Sequence, residues 1–334
     1  MREDPERRGL LYAGTETGIY VSFDDGGHWL PLQRNLPAVP IHDLAVKDDD
    51  LIVATHGRSF WVLDDITPLR QLSDELLAEP AHLFSVPPTI RYWTDYGFGA
   101  TALPGRNYGF SGTQILGYKV RELLNGEKLS VYLDAGQNPR DGVYVSYYLR
   151  EKPAGEVKLT FLDAAGNEIK SFSSEEKDEK AAKSGQPAAA AAAAGEKKKD
   201  EKKKEPRVPK EAGANRFFWN MRYPDAKAVE GFVAESGDLT GPAAAPGTYS
   251  VRLIMGDQSF TEPFEIRRDP RISASDEDLR AQFELLIRIR DKVSAAHEAV
   301  NKIKSTRRQA EEWEKRGVGA PEHENLSAAA KALK

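Results

Sequence analysis

Ser22-Phe23-Asp24-Asp25-Gly26-Gly27-His28-Trp29 fits the pattern S-x-D-x-G-x-x-W, and its reading decides the fold of the first part of the chain. The pattern describes a self-contained hairpin turn. Asp24 carries a short carboxylate that can accept backbone N–H groups within the turn, and Gly26 can take backbone angles closed to other residues. Ser22 can bond across the loop, while Trp29 can fold back to cover it. These four residues are read as a structural motif that stabilises a turn and performs no chemistry.

Working outward, residues 9 to 72 read as short strands: Leu10 to Ala13, Gly18 to Ser22, Ile41 to Val46, Leu51 to Thr55 and Ser59 to Asp64. Each is rich in Val, Ile, Leu, Phe or Tyr and bounded by Gly, Asp, Asn or Pro. Residues 73–112 read as a connector with little periodicity. Its aromatics, Tyr92, Trp93, Tyr96 and Phe98, imply that it lies against other structure. From 113 to 268 strands return, with Val143, Val145, Tyr147 and Leu149 alternating, then Val157, Leu159 and Phe161, then Tyr249, Val251, Leu253 and Met255. Period two over several short segments predicts an antiparallel sandwich with one face inward. Asp163 to Asn167 reads as a hairpin turn, and Pro246-Gly247 opens a later strand.

The sandwich is interrupted between about 173 and 213 by an Ala-rich run and the stretch KKKDEKKKE. This insert has too little apolar area to offset its ordering entropy, so it reads as a disordered, protease-sensitive surface loop. Its interleaved acids argue for a solvated tether over a nucleic-acid or lipid patch. Beyond Ser275, Leu279, Phe283, Leu286, Ile289, Val293, Ala296, Val300 and Ile303 recur at spacings of three and four, which predicts a helix of about 40 residues with one apolar stripe. Ser275 and Asp278 form a capping box, Gly317 and Gly319 stop the helix, and Pro321 can begin another. The stripe is expected to pack on a partner, as a helical hairpin or coiled coil.

The chain has 334 residues, a formal net charge of −5 and no cysteine. Cysteine-free chemistry has no disulfide, thiol nucleophile or thiolate metal site. The acidic balance argues against a nucleic-acid partner, and no apolar run is long enough to span a membrane. Met1 to Arg8 is too charged to be a signal peptide. No two of the six histidines sit at a metal-ligand spacing with a third partner, and Glu322-His323-Glu324 reads as solvated surface. Gly97, Gly99 and Gly105 do not open a helix after a strand, so no nucleotide loop is expected. No cofactor or metal is implied. Trp219 and Tyr223 read as sandwich core and edge.

The run LYAGTETGIYVSFDDGGHW (11–29) resembles an Asp-box, or bacterial neuraminidase, repeat of the sortilin-like β-propeller family. DLAVKDDDLIVATHGRSFWVLDDITPLRQL (43–72) resembles the final blade of large bacterial proteins described as glycosyl hydrolase, BNR repeat. GANRFFWNMRYP (213–224) and PGTYSVRL (246–253) resemble the immunoglobulin-like domain that follows the propeller in those proteins, and 269–303 resembles their helical region. The resemblance implies a mainly β chain with an α tail: terminal propeller blades over 1–72, an immunoglobulin-like β-sandwich over 113–268, and a helical region over 269–334. It also implies export to the periplasm or outside the cell, missing upstream blades and an internal or artefactual start at Met1; the helix that Pro321 can begin breaks off at Lys334, so the helical region reads as cut short.

Glycoside hydrolysis generally uses two carboxyls roughly 5 to 9 Å apart. Asp64 and Asp65 are adjacent at a strand end, where alternation points them to opposite faces, so they read as turn formers. Alternate turns of a blade face the same side, and Thr55-His56-Gly57-Arg58 and Thr15-Glu16-Thr17 occupy the side opposite the Asp-box. His56 and Arg58 are therefore the candidates for contact with an anionic or sugar group. The competing reading has Arg58 paired with a neighbouring acid and His56 shaping the turn. Three functions follow: a non-catalytic module binding peptides or glycans, a glycoside hydrolase or sialidase-like enzyme with its catalytic residues upstream, or a structural scaffold.

Overall fold

The computed structural model describes residues 1–92, 107–111, 114–122, 128–133, 139–175, 205–229 and 239–317, with isolated positions thereafter. The chain is mainly β with a long C-terminal helix, and divides into two units. The first comprises Met1–Trp219 and Gly247–Asp269; the second, Asn220–Pro246 and Pro270–Lys334.

The first unit begins with β1 (Arg2–Glu3), β2 (Leu11–Gly14), β3 (Ile19–Ser22) and β4 (Leu30–Pro31), an antiparallel sheet in chain order. A second antiparallel sheet follows, again in chain order: β5 (Ile41–Lys47), β6 (Asp50–Thr55) and β7 (Phe60–Leu63). Alternation explains the packing. Tyr12, Ile19 and Val21 of one sheet and Leu44, Leu51 and Val53 of the other turn inward to a common core, joined by Leu10, Leu36 and Ile66. On β7, Trp61 and Leu63 pack against that core, whereas Phe60 is 74% exposed and Val62 50% exposed on the opposite face. The far edge of β7 has no strand paired to it among the described residues.

Residues 1–9 lock this unit to the helical turn α1 (Thr67–Gln71). The buried Asp4 carboxylate accepts the Glu6 and Arg7 backbone N–H groups at 2.9 and 3.0 Å and Arg70 Nε at 3.0 Å. Arg7 donates in turn to the carbonyls of Leu69 and Leu72, at 2.8 and 2.6 Å. Arg2 reaches β5, donating to the Leu44 carbonyl at 2.7 Å.

The stretch expected to be a connector contributes more than a link. After α2 (Asp74–Ala78), capped by Ser73, come β8 (Ala81–Leu83) and β9 (Thr89–Arg91). Three-residue strands carry too little periodicity to be legible, but both join sheets. Trp93, Tyr96 and Phe98 lie outside the described residues. Next come β10 (Asn107–Ser111), β11 (Gln114–Glu122) and β12 (Lys128–Tyr132), an antiparallel sheet of their own.

The remaining strands are β13 (Val143–Leu149), β14 (Val157–Leu162), β15 (Glu168–Ser173), β16 (Gly213–Trp219), β17 (Gly247–Met255) and β18 (Gln258–Arg268). They form one sheet ordered β16-β13-β8 and another ordered β15-β14-β17-β18-β9, antiparallel except for the β18–β9 pair. Rings from the two sheets meet in the middle. Phe161 of β14 stacks on Trp219 of β16 at 4.4 Å, and Phe172 of β15 lies 4.8 Å from Phe217. Val143, Val145, Tyr147 and Leu149 all face inward, as their alternation predicts. Asp163 closes the β14–β15 turn by accepting the N–H groups of Ala165 and Asn167, both at 2.9 Å. Of the Ala/Lys-rich insert, 176–204 lies outside the described residues. Its C-terminal flank is anchored: Val208 is buried and its N–H meets the Ser173 carbonyl at 3.0 Å.

In the second unit, α3 (Asp276–Gly317) starts at a reciprocal cap. Asp278 N–H donates to Ser275 Oγ at 3.1 Å, and Ser275 N–H to Asp278 Oδ2 at 2.9 Å. Residues 223–228 run along the helix. Lys227 N–H donates to Ser294 Oγ at 3.1 Å, Asn301 Nδ2 donates to the Ala228 carbonyl at 2.9 Å, and Tyr223 lies 4.8 Å from Phe283. Tyr223, expected at the sandwich edge, therefore packs on the helix. Of the apolar stripe, Phe283 meets Tyr223 in this way, whereas Leu286, Ile289, Val300 and Ile303 are exposed. The second helix expected after Pro321 lies mostly outside the described residues.

Candidate functional site

The turn after β3 is built as its residue types demand. Ser22 is buried, and its hydroxyl donates to Asp24 Oδ1 at 2.8 Å while accepting Gly26 N–H at 2.9 Å. Asp24 Oδ1 also accepts His28 N–H at 2.8 Å, and Asp24 Oδ2 meets His28 Nδ1 at 2.5 Å. The His28 backbone bond, its ring and the Ser22 hydroxyl hold the Asp24 carboxyl well below the usual carboxylate range. Gly26 has φ 91°, in the left-handed region. A Cβ there would lie 3.7 Å from the Trp29 ring, which lies over the turn yet remains 36% exposed. Gly9 anchors the turn from outside by accepting Asp25 N–H at 3.0 Å. All of these groups are occupied with one another, which is the arrangement of a scaffold.

The opposite loop end differs. Two backbone bonds gather its loops around Pro40 and Ile41: Ile41 N–H donates to the Thr15 carbonyl at 2.8 Å, and His56 N–H to the Pro40 carbonyl at 2.9 Å. The β2–β3 loop, with Thr15, and the β6–β7 loop, with His56 and Arg58, thus flank the start of β5. The β6–β7 loop is held by Thr55 Oγ1 donating to the Ser59 carbonyl at 2.6 Å and Trp61 Nε1 donating to the Arg58 carbonyl at 3.0 Å. Gly57 and Ser59 both take positive φ, at 72° and 64°. Arg58 is carried at the tip with its side chain exposed, and its guanidinium makes no hydrogen bond or ion pair with another described residue.

His42, which the sequence did not single out, joins His56 here: their rings stack at 4.9 Å with 27° between planes. Counting back from buried Leu44, alternation would send His42 inward. A bulge between Ile41 and Asp43 adds one residue, so Ile41 packs on the core and His42 turns outward. Nothing in a single sequence marks that bulge. The pair of imidazoles and the guanidinium together present ring faces and N–H donors to solvent, a set suited to a carboxylate, sulfate or sugar hydroxyl.

Asp64 and Asp65 stand elsewhere, between β7 and α1. Asp65 N–H donates to Asp50 Oδ1 at 3.0 Å, while its own carboxylate accepts Thr67 Oγ1 at 2.5 Å and faces Arg216 at 3.4 Å. Its φ of 62° belongs to a turn. Burial raises both carboxyls above the ordinary aspartate range, with the Asp50 charge adding to the effect at Asp64. Among the described residues no group of three His, Cys, Asp or Glu could hold a metal ion, and no helix is long and apolar enough to cross a membrane.

No family model matches the chain, and no curated protein matches it. Among solved structures, it is similar to PorZ, an essential bacterial surface component of the type-IX secretion system of Porphyromonas gingivalis. The sequences are 14% identical and the TM-score is 0.18, over 79% of this chain and 30% of that one. The chain thus spans less than a third of PorZ, and a likeness this distant carries no argument about fold or function.

Proposed function

We propose that the chain is a non-catalytic binding module whose residues 1–72 are the last one to two blades of an Asp-box β-propeller. On this reading the two aromatic-cored sheets that follow are an immunoglobulin-like sandwich, and a peptide or glycan docks at the loop end carrying His42, His56 and Arg58. The observation that carries the binding role is the exposed Arg58 guanidinium, without a partner among the described residues and set near a stacked histidine pair. An idle arginine at the loop end away from a self-satisfied turn suits recognition of anionic or hydroxylated groups. The propeller assignment is supported by an antiparallel sheet in chain order whose Asp-box turn joins its third and fourth strands. Among the described residues no strand pairs with the outer edge of β7, and that edge with exposed Phe60 suits a further β element. The resemblance would place the module in the periplasm or outside the cell.

The test is binding of the full chain to peptide and glycan arrays, followed by titration of a bound hit with His56→Ala and Arg58→Ala. Each variant is expected to weaken binding about tenfold, or ~1.4 kcal/mol. Undiminished binding by both would refute the assignment of this loop end. Hydrolysis of fluorogenic glycosides by the chain, abolished by an acidic-residue substitution, would replace the reading with the hydrolase one.

A further inference from the structure

The outer edge of β7 carries a self-complementary pattern. Thr55 N–H donates to the Ser59 carbonyl at 3.3 Å, which makes these two a hydrogen-bonded pair continuing the β6–β7 ladder. Backbone direction alternates along a strand. Ser59, Trp61 and Leu63 therefore turn their N–H and C=O groups toward β6, and Phe60 and Val62 turn theirs away from it. Among the described residues no strand takes up that second set. The same two residues carry the exposed side chains, while Trp61 and Leu63 pack on the core. Phe60–Leu63 holds no proline and no charge, and its register with β6 has no bulge, so it lacks the devices that protect a free edge.

Charge sits at the two ends of the strand. Arg58, two residues before Phe60, carries an exposed guanidinium with no hydrogen bond or ion pair to another described residue. Asp64, two residues after Val62, feels the negative charges of Asp50 and Asp65 and the positive charge of Arg216. Counted by twos, the edge reads Arg58, Phe60, Val62, Asp64: cation, apolar, apolar, anion. An antiparallel copy reads anion, apolar, apolar, cation, so each member meets its complement. The backbone selects the same register. Phe60 against Val62 of a second copy pairs residues whose N–H and C=O groups all face the seam. That pairing puts Trp61 on the two-fold axis and brings Arg58 to Asp64 of the other copy at both ends. A shift by two residues either way sets an apolar side chain against a charge. A shift by one turns the backbone groups out of register.

We infer that the chain self-associates through β7, as a two-fold dimer whose edges pair antiparallel with Arg58 of each copy at Asp64 of the other. The two-fold closes on itself and leaves neither β7 edge open to a third copy. The inference goes beyond the ligand-binding reading and does not require it. The two share Arg58, so a ligand at that loop end competes with the second copy. Edges this short bury less than a standard interface, so the expected dissociation constant is on the order of 10–100 μM.

The test is sedimentation equilibrium of the full chain without ligand, over about 5 to 500 μM, a range that brackets a weak interface. The mass is expected to rise from one chain toward two. Val62→Lys is expected to raise the dissociation constant at least about tenfold, with unchanged circular dichroism because the side chain is exposed. Arg58→Glu and Asp64→Arg each set like charges together at both ends, and each is expected to be monomeric where the unaltered chain is dimeric. An equimolar mixture of those two variants is expected to restore the dimer, because every end in the mixed pair again meets its opposite. Arg58→Glu and Val62→Lys alter exposed side chains, so the outcome does not hang on the folding of Asp64→Arg. A chain that stays monomeric over the whole range overturns the inference. So does a dimer that Val62→Lys leaves intact, or a mixture of the two folded variants that stays monomeric. Protection of the Phe60 and Val62 amides from hydrogen exchange in the monomer overturns it too, by showing that the chain itself covers this edge.

Discussion

Replacing Arg70 with Met tests what holds residues 1–72 together. The Arg70 side chain is 8% exposed and the Asp4 carboxylate 0% exposed, so water cannot take the place of the missing cation. Arg70→Met keeps most of the side-chain volume and removes the charge, stranding Asp4 in the interior. Removing one member of a buried ion pair costs about 3–5 kcal/mol. Asp4 would retain the N–H groups of Glu6 and Arg7 and the Tyr12 hydroxyl at 3.4 Å, which puts the expected cost near ~3 kcal/mol, at the lower end of that range. Asp4→Asn should cost less, about 1–2 kcal/mol, because Arg70 would still meet Asp49 at 2.6 Å and Glu6 at 3.0 Å near solvent. The double variant should be more stable than Arg70→Met alone, since no buried charge remains. Hydrogen exchange on the full chain reads this locally. The amides of Tyr12 and Val21, paired across β2 and β3, should exchange about 150-fold faster in Arg70→Met if opening follows the lost stability. Acceleration below about tenfold, or a double variant worse than the sum of the two singles, would refute the role given to this pair.

Ser22→Ala should cost about 1 kcal/mol, because it removes the acceptor of the Gly26 N–H in a half-buried turn; exchange at Gly26 reads it, and unchanged protection would count against the turn's construction. Trp219→Ala should cost about 3–5 kcal/mol by opening a cavity beside Phe161, measured by guanidinium denaturation; a cost under about 1 kcal/mol would mean the two sheets do not depend on those rings. The pH dependence has a definite sign. The raised pKa values of Asp64 and Asp65 mean their contribution is fully present below the unfolded aspartate value and is lost as pH rises through the folded values. Asp64→Asn should therefore improve stability more at pH 7 than at pH 4, and the reverse order would refute burial as the cause. Asp24, Asp163 and Asp278 act oppositely: their depressed values contribute stability above the ordinary aspartate range that is lost as pH falls through those values.

Some of this molecule is written locally. The Ser22–Trp29 turn, the Asp163–Asn167 turn and the Ser275–Asp278 cap each satisfy their backbone within a few residues, so the residue types suffice to predict them. The inward faces of β13 and β17 were legible for a related reason: strands buried on one face must alternate, and a period of two shows in a single sequence. The candidate site was half legible. His56 and Arg58 could be placed on the loop end opposite the Ser22–Trp29 turn, because successive turns of a meander alternate sides.

What escaped was long-range. His42 reaches His56 through a bulge that adds one residue to β5, and alternation counted along the sequence gives the wrong face. β8 and β9 are too short to show a period, and their places in two sheets depend on partners far along the chain. Asp4 and Arg70 are 66 residues apart, and nothing near either one names the other. On α3 the apolar spacing made both a helix and a stripe evident, yet which face would be covered depended on where 223–228 came to lie. Residue type and spacing therefore determined the turns, the caps and the strand faces, since those energies are closed within a few residues. Only the tertiary structure decided which loops meet, which charge is buried against which, and which apolar face remains uncovered, since those depend on contacts between segments that are distant in sequence.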